Sequence, residues 1–137
     1  MTIHGERVFI DWVIGVLTAG GITVGDGVAP TSVPAGSGYV VVYSIAGGET
    51  SGAVDAPRSD AEPSFQVTSV ASDPRQVRWL VDRVRSLFHV TIPATLSDGR
   101  KVIWLDFPMS STTVIRDDKV QPAKYYAPDR LEVGTVT

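Results

Sequence analysis

Cysteine is absent from the 137 residues, which removes disulfides, thiolate metal sites and cysteine nucleophiles at once. Asparagine is absent as well, so the chain carries no N-glycosylation acceptor. Histidine, the commonest general base, occurs twice, as the isolated His4 and His89, and no spaced set of metal ligands can be written from the two. The 13 glycines form no GxGxxG, no P-loop and no nucleophile elbow. A long hydrophobic run is missing too. Residues 8–17 are mostly apolar, but about ten residues fall short of the roughly 20 needed to cross a bilayer, and no basic stretch precedes them. A net charge of −3 lacks the positive balance of a nucleic-acid or anionic-membrane binder. These absences lead to the expectation of an intracellular, soluble, non-enzymatic protein, with no catalytic residue, no metal, no cofactor and no membrane partner.

What is present suits one globular domain spanning 1–137, with 43% hydrophobic and 20% charged residues. Residues 6–19 read as a helix closed by Gly20-Gly21. Within 8–17 only Asp11 and Gly15 are not apolar, so the helix needs cover on nearly every side. Either strands and loops of its own chain supply that cover, or Phe9, Trp12 or Val16 meets another subunit. Residues 22–37 read as a loop with a short extended piece at 22–24. Tyr39-Val-Val-Val-Tyr43 is β-branched and aromatic and reads as a strand, as does the alternating stretch 64–70.

The best-defined element follows. Asp73-Pro74-Arg75-Gln76 supplies an N-cap carboxylate, Pro at the first helical position and Gln three residues after the cap. Val77, Leu80, Val81, Val84, Leu87 and Phe88 then fall within about 120° of a helical wheel. Burying six such side chains contributes on the order of 10 kcal/mol before ordering entropy is charged. Further strands are expected at 101–107, entered through a Ser97-Asp98-Gly99 turn, at 112–116, and as one or two strands over 125–126 and 130–136. Hairpin-length connections imply an α+β fold: a mostly antiparallel sheet flanked by two helices, with a long loop between the second and third elements.

Three features stand out from that frame. The loop 46–63 carries Glu49, Asp55, Asp60 and Glu62 against Arg58 alone, a net charge of −3 that equals the charge of the whole chain. Loops of this length in compact domains are commonly functional or partner-bound. The helix over 75–88 bears Arg75, Arg78, Arg83 and Arg85 around Asp82, either a solvated face or a contact with an acidic neighbour or DNA phosphate. Trp79 lies about 140° from the centre of the apolar stripe. Either a loop of its own chain covers it or it anchors an interface, where Trp and Arg are enriched. His89 is expected to meet the carbonyls at the helix end. Asp117-Asp118 reads as a turn, and Asp60-x-Glu62 is too sparse for a cation site.

The order of these segments resembles the tail terminator proteins of long non-contractile-tailed phages, especially those infecting actinobacteria. The resemblance runs through Tyr39-Val-Val-Val-Tyr43, Phe65-Gln66-Val67-Thr68-Ser69-Val70, Asp73-Pro74-Arg75-Gln76-Val77-Arg78-Trp79, Arg116-Asp117-Asp118 and Tyr125-Tyr126-Ala127-Pro128-Asp129-Arg130-Leu131. It implies a homohexameric ring that caps the tail tube, stops its elongation and joins the tail to the neck while leaving a DNA channel. Its partners would be further copies of itself, the tail tube protein and a neck or head-completion protein, with DNA passing through unbound. Its place would be the tail–neck junction of the virion, after assembly in the host cytoplasm. Subunit contacts would then fall on Phe9, Trp12, Val16, Arg75, Arg78 and Trp79. The loop with Glu49, Asp55, Arg58, Asp60 and Glu62 would face the channel, where like charge repels DNA, or a partner. Three competing readings are another head-to-tail connector, such as a neck or stopper protein; a DNA-binding module using Arg78 and Arg85; and a small hydrolase using Asp60, Glu62 or His89.

Overall fold

The computed structural model describes residues 6–33, 37–50, 60–109, 112–119 and 122–136. Helix α1 (Glu6–Ala19) leads into β1 (Val24–Asp26), β2 (Tyr39–Thr50) and β3 (Asp60–Ala71). Helix α2 (Pro74–His89) follows, and then β4 (Ala94–Thr95), β5 (Lys101–Asp106), β6 (Ile115–Asp117) and β7 (Lys124–Val136). The strands form one seven-stranded sheet in the order β1-β2-β3-β7-β5-β4, with β6 also paired to β7. Every pairing is antiparallel except β1 with β2. The fold is therefore α+β, with the mostly antiparallel sheet, the two helices and the long β2–β3 connection expected from the sequence.

Helix α2 forms for the reasons legible in its residues. Asp73 stands in extended conformation and accepts a hydrogen bond from the Arg75 backbone N at 2.7 Å, with Pro74 opening the helix. Its stripe of Val77, Leu80, Val81, Val84 and Phe88 is buried. At the far end the last carbonyls are met by Val90 N, by Thr91 N and by the Thr91 hydroxyl. His89 lies elsewhere, edge-on to the Phe107 ring at 5.8 Å.

Both helices cover the same face of the sheet. Phe9, Val13 and Leu17 of α1 share one cluster with Val84 and Phe88 of α2 and with Val40, Val42, Phe65, Val67, Leu131 and Val133 of the strands. A second cluster, built on Val77, Leu80 and Val81, packs on Ala71 and Ala127. The chain itself buries Phe9, Val13 and Leu17 of α1 completely and leaves Val8, Trp12, Ile14 and Val16 half-buried against the main cluster.

Strand β7 is one strand rather than two, and it runs through Pro128. Its partner on one side is β3, over Tyr125 to Glu132. On the other side β6 ends at Tyr126 and β5 begins at Glu132. In the gap between them the Arg130 N–H donates to the Asp129 carboxylate at 2.9 Å. Pro128 has the same parity and lacks a donor just where no strand waits to accept one. In β5 a register shift between Val102 and Trp104 turns Trp104 onto Gly134, where a Cβ would stand 1.9 Å from the indole Nε1.

The pairing of β2 with β3 continues past a register shift, between Ile45 and Gly48, to Gly48↔Glu62, Glu49↔Ala61 and Thr50↔Asp60. Hydrogen-bonded strand thus reaches into the long connection from both sides. Residues 51–59 lie outside the described residues.

Candidate interaction surfaces

Directly paired residues of antiparallel strands share a face, so the register sorts the sheet. The helix-covered face holds the rows Val40–Ser69–Ala127 and Val42–Val67–Asp129. The opposite face holds Tyr39–Val70–Tyr126–Ile115, Val41–Thr68–Pro128 and Tyr43–Gln66–Arg130. An antiparallel sheet with one solvated side ordinarily turns polar residues outward. Here the outer rows carry three tyrosines, two valines and an isoleucine around a groove of about 240 Å³, and Lys124 Nζ stands 5.4 Å from the Tyr39 ring centroid.

On the covered face Asp129 is 3% exposed. Arg85 of α2 grips it with two hydrogen bonds, Nε to Oδ2 at 2.8 Å and Nη2 to Oδ1 at 2.9 Å. Arg85 also donates to the Met109 carbonyl at 2.8 Å and lies over the Phe107 ring. The hydrogen bond to Asp129 raises the Arg85 pKa against the opposing effect of burial. This bidentate pair locks α2 to β7. Sequence reasoning placed Arg85 among the outward arginines. The signal available was the alternation Ala127, Asp129, Leu131, Val133, which puts a carboxylate on the inner face and requires a cation opposite.

The expected interface residues separate into two groups. Phe9 is 0% exposed, with the Arg100 guanidinium 5.3 Å from its ring centroid. It belongs to the core of its own chain, so its assignment to a subunit contact is corrected. Trp12 packs edge-on to Phe88 at 5.6 Å, and Val16 is half-buried against the same cluster. Arg75, Arg78 and Trp79, by contrast, stand on the outer side of α2 and are exposed.

Trp79 is 60% exposed, so no loop of the described chain buries it. It borders a groove of about 200 Å³ where the end of α1 meets the start of α2, walled by Gly20, Gly21, Ile22, Gln76 and Leu80. Gly38 also lines that groove. A Cβ there would stand 2.5 Å from Leu80 Cδ1 and 2.7 Å from the Val70 carbonyl, so only glycine lets β2 start this close to α2.

Of the acidic connection, Glu49, Asp60 and Glu62 are placed on the paired backbone of β2 and β3. Asp55 and Arg58 lie outside the described residues, as does His4. Asp117 accepts from the Lys119 N–H at 3.0 Å and Asp118 pairs with Arg116 at 2.6 Å, so the two carboxylates serve separate local bonds. Among the described residues no three His, Asp or Glu side chains gather as a metal-binding group, and no helix is long and apolar enough to cross a membrane.

No protein-family model matches the chain, and no curated protein matches it in sequence. A solved structure 15% identical to it aligns over 96% of this chain and 90% of its own length, with a TM-score of 0.49. At that level the likeness supports no inference about function.

Proposed function

We propose that this chain is a ring-forming virion subunit of the tail-terminator kind, which caps a phage tail tube, stops its elongation and joins it to the neck. The observation that carries the reading is Trp79, a large aromatic left 60% exposed beside a preformed groove, with Arg75 and Arg78 next to it. Tryptophan and arginine are the residue types that anchor protein interfaces. On the side of the sheet away from the helices, Tyr43 and Ile115 are exposed and add a second apolar surface. Two different surfaces on one chain suit head-to-tail association, which closes into a ring when the rotation between copies allows it. The order of segments, from the Tyr39–Tyr43 strand through the capped Trp79 helix to the Tyr125–Leu131 strand, supports the narrower step to a tail terminator.

The mechanism is one of shape and valence. A ring presents one face to the last turn of the tube protein and the other to the neck protein, and it leaves a central passage for DNA. A neck or stopper protein would share the ring but attach to the head side. The rival DNA-binding reading loses one of its two named arginines, because Arg85 is held by Asp129.

Electron microscopy with mass measurement on the purified protein tests the reading. Six-fold rings, alone or only on tail tubes, are the expected outcome. A chain that stays monomeric and leaves tube growth unchanged rules it out.

A further inference from the structure

The two most conspicuous features outside the core lie at opposite ends of the same hairpin. At one end β2 starts and β3 finishes, and there Gly38, Leu80 and Trp79 form the groove at the start of α2. At the other end β2 and β3 continue together past the rest of the sheet. Strand β1 accompanies β2 only along 40–42, and β7 accompanies β3 only from Ser64 onward. The rungs Gly48↔Glu62, Glu49↔Ala61 and Thr50↔Asp60 therefore form a two-stranded ribbon with no described strand on either side. Such a ribbon is marginal in water by itself, and its unpaired edges are templates for association.

The charges of the two ends are opposite. Residues 46–63 carry four carboxylates and one arginine, and they hold the equivalent of the chain's whole net charge. The groove end presents exposed Arg75 and Arg78, with Arg83 one turn beyond Trp79, against the exposed Asp73 and Asp82, which leaves it net positive by one charge. Arg85 is not among them, since Asp129 holds it. Along the described strands the rungs 48–50/60–62 and the groove lie at opposite ends of the hairpin. From Ser64 to Ala71 the strand alone spans about 23 Å at roughly 3.3 Å per residue, and the ribbon extends away from the groove.

We infer that the acidic β2–β3 arm of one copy of this chain seats on the Trp79 groove and the Arg75–Arg78 side of α2 in the next copy. The inference rests on the ring-subunit reading above and gives it an interface: arm on one side of each subunit, groove on the other. Such a contact is heterologous and repeats from copy to copy. Carboxylates steer the arm and set its register, while Trp79 supplies the desolvated anchor.

The absence of cysteine permits a clean test. One preparation carries Glu62→Cys and another Arg78→Cys; they are mixed, allowed to assemble and joined with a short thiol-specific cross-linker. A 62–78 product between chains is expected. Rings that yield no such product overturn the arm assignment and leave the ring reading standing, whereas a chain that stays monomeric throughout overturns both. A 62–78 link within a single doubly substituted chain also overturns the assignment. In parallel, Arg75→Glu with Arg78→Glu is expected to weaken self-association about tenfold or more through like-charge contact with the arm. Adding Glu49→Arg and Glu62→Arg to the same chain is expected to recover most of it. Failure of that recovery in a folded protein overturns the charge pairing on which the inference stands.

Discussion

The two helices carry their apolar residues in opposite ways, and their fates are reversed from what those patterns suggest. Helix α1 is apolar nearly all round, the pattern of an element with surface to spare, yet each of its large apolar side chains is at least half-buried on its own chain. Phe9, Val13 and Leu17 face the core, and Trp12 and Val16 lean on the same cluster. Helix α2 has a clean stripe and a polar back, the pattern of an element fully provided for, yet it leaves Trp79 exposed. An all-round apolar helix reports how deeply it is enclosed, because every side must be met by something. A single large aromatic set against an otherwise consistent pattern is not explained by the packing of its own chain, and the proposed interface gives it a role.

That contrast can be broken most decisively at Phe9. Truncation by Phe9→Ala is expected to cost about 3–5 kcal/mol, the range for a fully buried aromatic, read as a lower urea midpoint. Unchanged stability with failed assembly would return Phe9 to a subunit contact and erase the distinction between the helices. On the inner side of α2, Arg85→Ala is expected to cost about 3 kcal/mol, because Asp129 is left buried and charged without its partner. Pairing this change with Asp129→Ala in a double-mutant cycle sharpens it: the two losses should be strongly non-additive. If both single changes are mild, the pair is not what locks α2 to β7. The smallest expected effect on stability is at Trp79, where replacement by Ala should stay within about 0.5 kcal/mol, as for other surface positions. Self-association should weaken by about 2 kcal/mol or more in sedimentation, the size of an interface anchor. A Trp79→Ala chain that unfolds would place this residue with Phe9.

Much of the fold can be read from local signals. The cap, proline and stripe of α2 lie within 16 residues, and each is a short-range property. The β-branched and aromatic stretches located β2, β3 and β5, and Gly20-Gly21 marked the end of α1. Residues 125–126 and 130–136 proved to be one strand, because Pro128 falls where β7 has a partner on one side only. The candidate site was half legible. Trp79, Arg75 and Arg78 emerged from the helical wheel, since departure from a stripe is visible without a partner. Phe9 was misread because its surroundings, Arg100 among them, come from residues far along the chain. The apolar outer face of the sheet went unread for a related reason. Alternation separates Tyr39, Val41 and Tyr43 from Val40 and Val42, but both sets are apolar, and nothing local says which one the helices cover.

By itself, the sequence determined where the two helices and the middles of β2, β3 and β5 form, where the negative charge gathers and which aromatic on α2 breaks its pattern. Those are consequences of dihedral preference, capping and periodicity, all settled within a few residues. Only the tertiary structure decided that Arg85 belongs to Asp129, that Phe9 is core while Trp79 is not, and that the acidic arm and the Trp79 groove sit at opposite ends of one hairpin. Burial and pairing depend on what is packed across a sheet, and strands distant in sequence become neighbours only when that sheet closes.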